Sequence, residues 1–182
     1  MKKMEYIIRR AGTDDIEKID FLMWNVYENL SEKNIFVPDD KIFIEKHIEK
    51  EGFILIAEKK EDASSLLAAF LIVRFPENAE DNLGSYLKLS TEELQNVAHM
   101  ESAVVDKNCR GAHLQQRLLE AAEREIMNMY WKEEKRYYLM CTIDPNNNYS
   151  LNNAKKMGYT VVDEVEKYGG KRRAILCKTV KK

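Results

Sequence analysis

The residues best placed to do chemistry sit in one run, Val104-Val105-Asp106-Lys107-Asn108-Cys109-Arg110-Gly111-Ala112-His113-Leu114-Gln115. A β-branched apolar stretch stops in a polar turn with Arg110-Gly111, and leucines at helical spacing, Leu114 and Leu118, follow at once. A strand that ends where a helix begins leaves several backbone N–H groups unpaired and aimed at one point, with the positive end of the helix dipole behind them. The chemistry this implies is anion binding by main chain, suited to phosphate or pyrophosphate. Spacing removes two relatives. A P-loop needs Gly-x-x-x-x-Gly-Lys-Ser/Thr, and a dinucleotide fingerprint needs three glycines, whereas this turn has Gly111 alone. Just upstream, alternation along Val97–Val105 puts His99 and Glu101, two groups able to move protons, on one face.

A second segment belongs with the first. Asp144-Pro145-Asn146-Asn147-Asn148-Tyr149-Ser150 leads into a helical stretch that closes on Gly158-Tyr159. Together the two segments resemble the GNAT N-acetyltransferase superfamily. Its coenzyme loop reads Val-x-Pro-x-x-Arg-Gly-x-Gly-x-Gly; Val105, Arg110 and Gly111 match, while Lys107 stands at the proline, His113 at the second glycine and Gln115 at the third. Its second motif has an Asn after a strand, a small residue three positions on, and Gly-Phe or Gly-Tyr at the helix end. Asn147, Ser150, Gly158 and Tyr159 fall on those positions. Tyr6 to Ala11 followed by Asp14-Asp15-Ile16 resembles the first strand and helix start, so the likeness runs along essentially the whole chain. Leu114-Gln115, and Tyr168-Gly169-Gly170 with Arg173, also resemble an uncharacterised bacterial subgroup.

The resemblance implies an α/β fold: a mixed, mostly antiparallel central sheet flanked by helices, with a splayed parallel strand pair that binds coenzyme A. It implies an N-acetyltransferase that passes acetyl from acetyl-coenzyme A to a primary amine, either a small molecule or a peptide or protein N-terminus, by direct attack. Pyrophosphate contacts would come from Arg110, Gly111, Ala112, His113, Leu114 and Gln115. Pantetheine contacts would come from Ala103, Val104 and Val105, and from Asn147 and Ser150. His113 and Gln115 crowd a loop that usually carries glycine, but amide donation does not require glycine, so binding is expected with altered donor geometry. Asn147 has two readings that can both hold, since three consecutive Asn residues favour an Asx turn in any protein.

In related members a Glu or His from the strand before the loop acts as base, directly or through water. Glu101 is the first choice and His99 the second; the plainer alternatives are a solvated strand Glu and a partly buried strand His. The tyrosine that often serves as acid falls on Ala154, which cannot donate a proton. Tyr149 and Tyr168 could substitute or simply pack, and water or helix N–H groups could assist the leaving thiolate instead. Cys109 lies beside the loop with no base supplied to it. Two further readings stay open: an acyl-coenzyme A-binding or sensing protein with little turnover, and a nucleotide-binding βαβ module unrelated to acetyl transfer.

The elements that must hold these residues follow from periodicity and turn chemistry. A first strand covers Glu5 to Arg10, and a helix capped by Thr13 carries Ile16, Ile19, Leu22, Met23 and Val26. A second helix covers Asp40 to Lys50. Phe53–Ala57 and Leu66–Arg74 form a hairpin over a polar turn from Lys59 to Ser65. Within the polar stretch Pro76–Asn96, Ser90-Thr91-Glu92-Glu93-Leu94 reads as a short capped helix. The strand Val97–Val105, a helix from about Ala112 to Met129 and the strand Tyr137–Ile143 form a parallel βαβ unit. The Asn-rich turn, a helix over Ser150–Lys156, and a hairpin of Tyr159–Tyr168 with Arg172–Val180 over Gly169-Gly170 close the chain.

At 182 residues the chain fits one domain, 1–182, with a full core. Charged residues make up 33%, balanced to a net −2, which argues against a nucleic-acid partner. The basic run Lys167, Lys171, Arg172, Arg173, Lys178, Lys181 and Lys182 reads as a solvated hairpin and tail, or as a rim attracting a phosphorylated ligand. Cys109, Cys141 and Cys177 lack metal-ligand spacing, so reduced thiols and no metal are expected. No apolar run reaches the roughly 18 residues of a membrane span, and no signal-peptide pattern follows the first residues. The expectation is a cytoplasmic protein whose partner is a small amine or peptide acceptor, with a homodimer left open.

Overall fold

The structure is a computed structural model that describes residues 5–60, 65–130 and 135–181. Seven strands, β1 (Tyr6–Arg10), β2 (Gly52–Lys60), β3 (Ser65–Arg74), β4 (Val97–Val105), β5 (Tyr137–Ile143), β6 (Thr160–Lys167) and β7 (Lys171–Val180), form one sheet. Their order is β1-β2-β3-β4-β5-β7-β6, antiparallel everywhere except between β4 and β5. The helices are α1 (Ile16–Glu28), α2 (Lys41–Glu49), α3 (Thr91–Leu94), α4 (Leu114–Tyr130) and α5 (Asn148–Lys156). The middle of the expected turn between β2 and β3, residues 61–64, lies outside the described residues, as does Lys182.

Local chemistry sets most element ends. Asp40 accepts the Phe43 N–H at 2.8 Å to start α2, Ser90 and Glu93 form a reciprocal capping box on α3, and Asn147 accepts the Ser150 N–H at 3.1 Å to start α5. Thr13 departs from its expected capping role. It opens a 3₁₀ turn, Thr13–Asp15, and Asp15 does the capping by accepting the Gly12 N–H at 2.9 Å. Asp15 is the better acceptor because Arg9 grips both its oxygens, at 2.7 and 2.9 Å, and fixes the carboxylate in place.

Period-two alternation sorts the central strands into two core layers. Leu55, Leu71, Val73, Ala98, Met100 and Leu139 pack with Leu114, Leu118, Ala122 and Ile126 of α4. Ile54, Ile56, Phe70, Ile72 and Val104 pack with Ile19, Leu22 and Met23 of α1 and Ile44 of α2. Each of the larger side chains, fully buried, contributes about 1.5–3 kcal/mol, so the sheet is clamped from both faces.

One irregularity positions the site. Leu71 pairs with Ala103 and Val73 with Met100, so Glu101 and Ser102 together oppose Ile72 in a β-bulge. Met100, Ala103 and Val105 pack on the α4 side, while Val104 joins the α1–α2 core. Without the bulge Ser102 would point toward α4; with it, the Ser102 hydroxyl reaches Asp39, ahead of α2, at 2.5 Å. A bulge bends its strand, and here the parallel pairing of β4 with β5 stops at His99–Met140, two residues before the bulge. Beyond that point the two strands part.

Candidate functional site

Past β4 the chain turns through Lys107–Cys109, with Asp106 Oδ1 accepting the Asn108 N–H at 2.7 Å, and enters α4 at Leu114. The first helical bond runs from the Arg117 N–H to the His113 carbonyl at 3.0 Å. The N–H groups of Leu114, Gln115 and Gln116 therefore precede any helical acceptor, and those of Gly111, Ala112 and His113 find none among the described residues. Two of these residues have left-handed backbone: Gly111 with φ of 84° and His113 with φ of 54°. A Cβ built on Gly111 would meet no protein atom within 4 Å, so the loop opens onto free space there. His113 stands where the family pattern has glycine and holds the conformation a glycine would, which histidine tolerates better than most side chains.

The parted strands enclose a cleft of about 100 Å³, lined by Ala103 of β4, Thr142 and Ile143 of β5, Gln115 of α4, and Asn147, Ser150 and Ala154 of α5. The Asp106 N–H donates to Ala68 on β3 at 2.8 Å. Alternation then turns the main chain of Val104 toward β3 and leaves that of Ala103 and Val105 facing the gap. Gln115 bridges the cleft's helical wall: Oε1 accepts from Asn153 at 2.8 Å and Nε2 donates to Ser150 Oγ at 3.4 Å. Asn147 spends its oxygen on the helix cap, while its Nδ2 has no partner among the described residues.

A second cavity, about 240 Å³, lies on the α1–α2 side of the sheet. Its walls include Phe36, Asp39, Phe43, His99, Lys167 and Tyr168. Ile35, Phe36, Met100, Glu101, Cys141 and Thr142 line both this cavity and the cleft, and Glu101 is the one carboxylate at that junction among the described residues. A wider groove of about 660 Å³ opens at the other end of β4, beside Lys50, Phe75 and Gln95, away from the anion loop and the strand gap.

Glu101 is held but not sealed, its side chain 22% exposed. Burial works to raise its pKa, but the His99 hydrogen bond and nearby positive charge, Arg74 included, outweigh that and hold the carboxyl below the usual carboxylate range. Oε1 lies 3.2 Å from His99 Nδ1 and 3.5 Å from Arg74 Nη1. His99 Nε2 faces the Leu83 N–H at 3.0 Å and must carry the lone pair, so the hydrogen-bond pattern assigns the proton to Nδ1. His99 thus has both ring nitrogens engaged, leaving Glu101 as the group of the pair able to accept a proton.

Asp39, Arg74 and Ser102 escaped the sequence reading. Asp39 is pushed up to about 6, by burial first and by the neighbouring Glu101 and Asp40 charges, against the Ser102 hydrogen bond. The Cys141 thiol is pushed up to about 12 by burial, so it holds its proton at neutral pH and is no nucleophile. Ala154 is buried at the cleft with only a methyl group to offer. Of the two tyrosines considered in its place, Tyr149 is exposed and lines neither space, whereas Tyr168 lines the second cavity with its hydroxyl 3.3 Å from Thr142 Oγ1. Burial raises the Tyr168 pKa, so it keeps its proton near neutrality. Among the described residues no group of His, Cys, Asp and Glu is arranged to hold a metal ion, and no helix is long and apolar enough to cross a membrane.

Comparison with known proteins bears on the whole arrangement. The sequence model of the acetyltransferase (GNAT) family matches residues 19–159. No curated protein matches the sequence. An acetyltransferase of the GNAT family from Streptococcus pneumoniae superposes with a TM-score of 0.69 at 15% identity, covering 97% of this chain and 99% of that one. The NatC complex bound to Gag peptide and CoA superposes at 0.69 with 13% identity, over 96% and 97% of the two chains. Mosquito arylalkylamine N-acetyltransferase like 5b gives 0.69 at 14% identity, over 97% and 100%. At such identities the superpositions speak for a shared fold.

Proposed function

The chain belongs to the acetyltransferase (GNAT) family and is an acetyl-coenzyme A-dependent N-acetyltransferase, and from that premise we propose how its residues divide the work. The N–H groups of Gly111 to Gln116 and the side chain of Arg110 hold the coenzyme pyrophosphate. The main chain of Ala103 and Val105 and the Asn147 amide hold the pantetheine arm in the gap between β4 and β5. The geometry fits that arm: the gap is open, its walls carry unspent amides, and the loop has room at Gly111. The acceptor amine enters the cavity between Phe36, Asp39 and Tyr168. A single domain, 1–182, in the cytoplasm is the setting proposed for this reaction.

The observation that carries this assignment is that Glu101 lines both spaces. When bound, the coenzyme supplies an acetyl thioester whose carbonyl carbon takes the new C–N bond as the C–S bond breaks and its electron pair leaves on sulfur. Once the amine is in its neutral form, Glu101 accepts, directly or through water, a proton from the nitrogen as it bonds to carbon. That nitrogen becomes strongly acidic as the bond forms, so a carboxylate held below its usual pKa is base enough. His99 acts as a positioning residue, fixing Glu101 Oε1 from a ring that Leu83 holds in turn. Tyr168, through its contact with Thr142 at the junction, is the proton source proposed for the leaving sulfur in place of the tyrosine missing at Ala154. Direct attack suits this site because Cys141, the thiol at the junction, stays protonated.

The acceptor classes in view are a small primary amine and a peptide or protein N-terminus. Neighbours of the same fold include an arylalkylamine N-acetyltransferase and a complex bound to a peptide. The test is to purify the protein, look for co-purifying coenzyme by mass spectrometry, and screen an amine and peptide panel for acetylated product formed one-for-one with free coenzyme thiol. Coenzyme binding without acetyl transfer to any acceptor would leave the acyl-coenzyme A sensing alternative standing.

A further inference from the structure

Resting on the reading of this cavity as the acceptor site, we infer that the acceptor is a small zwitterion: a primary amine that also carries a carboxylate, seated with its nitrogen toward Asp39 and Glu101 and its carboxylate toward Lys167. The inference starts from which charges around the cavity are already matched. Arg74 is committed to Asp81 through two bonds of 2.7 and 2.8 Å and leans on Glu101. Arg173 is buried, with Asp144 at 2.9 Å and the carbonyls of Arg172 and Asn34 at 2.8 Å each.

Two lining charges lack an ionic partner among the described residues. Asp39 has only the Ser102 hydroxyl, and Lys167 has only the face of Tyr86, 5.4 Å from Nζ to the ring centroid. They come from different elements, Asp39 just ahead of α2 and Lys167 at the end of β6, and no ion pair joins them among the described residues. Opposite charges kept apart across a partly desolvated cavity attract a ligand that carries both complements, since the local dielectric is well below that of water. Glu101 sits beside Asp39 at the mouth of the cleft, so the same arrangement points the amine end at the reacting carbon.

The remaining walls are apolar, with Ile35, Phe36, Val37 and Phe43 along one side. At about 240 Å³ the cavity holds the space of about eight water molecules, which suits one amino acid. A peptide N-terminus brings the amine without a carboxylate nearby, and a simple alkylamine leaves Lys167 unmatched.

The experiment uses the full chain with saturating acetyl-coenzyme A and matched acceptors: glycine, leucine and 4-aminobutyrate against methylamine, isoamylamine and butylamine, with trialanine amide as the peptide arm. The amino acids differ in the span between nitrogen and carboxylate and so report the distance the site accepts. At least one is expected to exceed its matched alkylamine and the peptide amide tenfold or more in kcat/KM. Lys167→Ala should shrink that preference tenfold or more, mainly through KM, and Lys167→Glu should reverse it. Alkylamines or the peptide amide transferred as well as the amino acids, or a preference unchanged in both Lys167 variants, would overturn the inference while leaving acetyl transfer intact. If coenzyme binds and no acceptor of any kind is acetylated, the assignment of the cavity falls and this inference with it.

Discussion

The two sides proposed for this site, one for coenzyme and one for acceptor, are built from different materials. On the coenzyme side the working groups are main chain: the N–H groups from Gly111 to Gln116 and the strand edge of Ala103 and Val105, freed where β4 and β5 part. On the acceptor side they are side chains in a connected polar network, His99 to Glu101 to Arg74 to Asp81, anchored at one end by the Leu83 N–H, with Asp39 and Ser102 beside it. A backbone donor survives substitution of the residue that carries it. That explains how His113 and Gln115 can stand at glycine positions while the loop keeps its course. A side-chain network has no such tolerance, because each member orients the next. Chain-specific chemistry therefore belongs on the acceptor side.

Three substitutions can break or sharpen this contrast. The largest effect should come from Glu101→Gln, which removes the proposed proton acceptor while keeping the shape of the network. Acetyl transfer should fall roughly 10²-fold or more, with coenzyme affinity by calorimetry little changed. The carboxyl is held below its usual range, so it is ionised throughout pH 6 to 9, and the rise of the wild-type rate across that range reports the acceptor amine losing its proton. The variant depends on the same free amine, so its deficit should stay roughly constant from pH 6 to 9, and a deficit that closes toward pH 9 would mean that Glu101 serves only to free the amine. Equal rates at every pH would mean that the acceptor side works by orientation alone. The same lowered pKa gives the folded state stability that is present above the ordinary carboxylate range and lost as pH falls through the lowered value.

Gly111→Val should come next, weakening coenzyme binding tenfold or more, about 1.4 kcal/mol. A Cβ at this position meets no protein atom within 4 Å in the free chain, and the φ of 84° strains any β-branched residue. A thermal melt separates loss of fold from loss of affinity. Unchanged affinity in the folded variant would mean that the anion does not sit at this loop.

The smallest effect is expected from His113→Gly. Relief of the left-handed strain, partly offset by the greater freedom of glycine when unfolded, should raise stability by about 1 kcal/mol or less. Coenzyme affinity should move less than threefold. A tenfold loss would show that the imidazole itself binds the ligand, and the main-chain picture would need revision.

How much of this was legible in the sequence depends on range. The strand Val97–Val105, the capped turn at Ser90, the Asn147 cap and the closing hairpin were readable because alternation, helical spacing and capping chemistry act over a few residues. So was the shared face of His99 and Glu101, since pleating alone sets it. Thr13 shows the limit even locally: its capping role passed to Asp15 because Arg9, on the preceding strand, grips Asp15.

Tertiary structure alone decided the rest. The bulge at Glu101–Ser102 has no sequence mark, yet it bends β4 where its pairing with β5 ends and turns Ser102 toward Asp39, 63 positions away. That His99 has both ring nitrogens engaged rests on a backbone N–H from Leu83, 16 positions upstream, that occupies Nε2. Gln115, read as a replaced glycine, is a strut to Asn153 across the cleft. Short-range steric and capping preferences are properties of a stretch of chain, whereas a proton acceptor is defined by whatever the folded molecule brings against it.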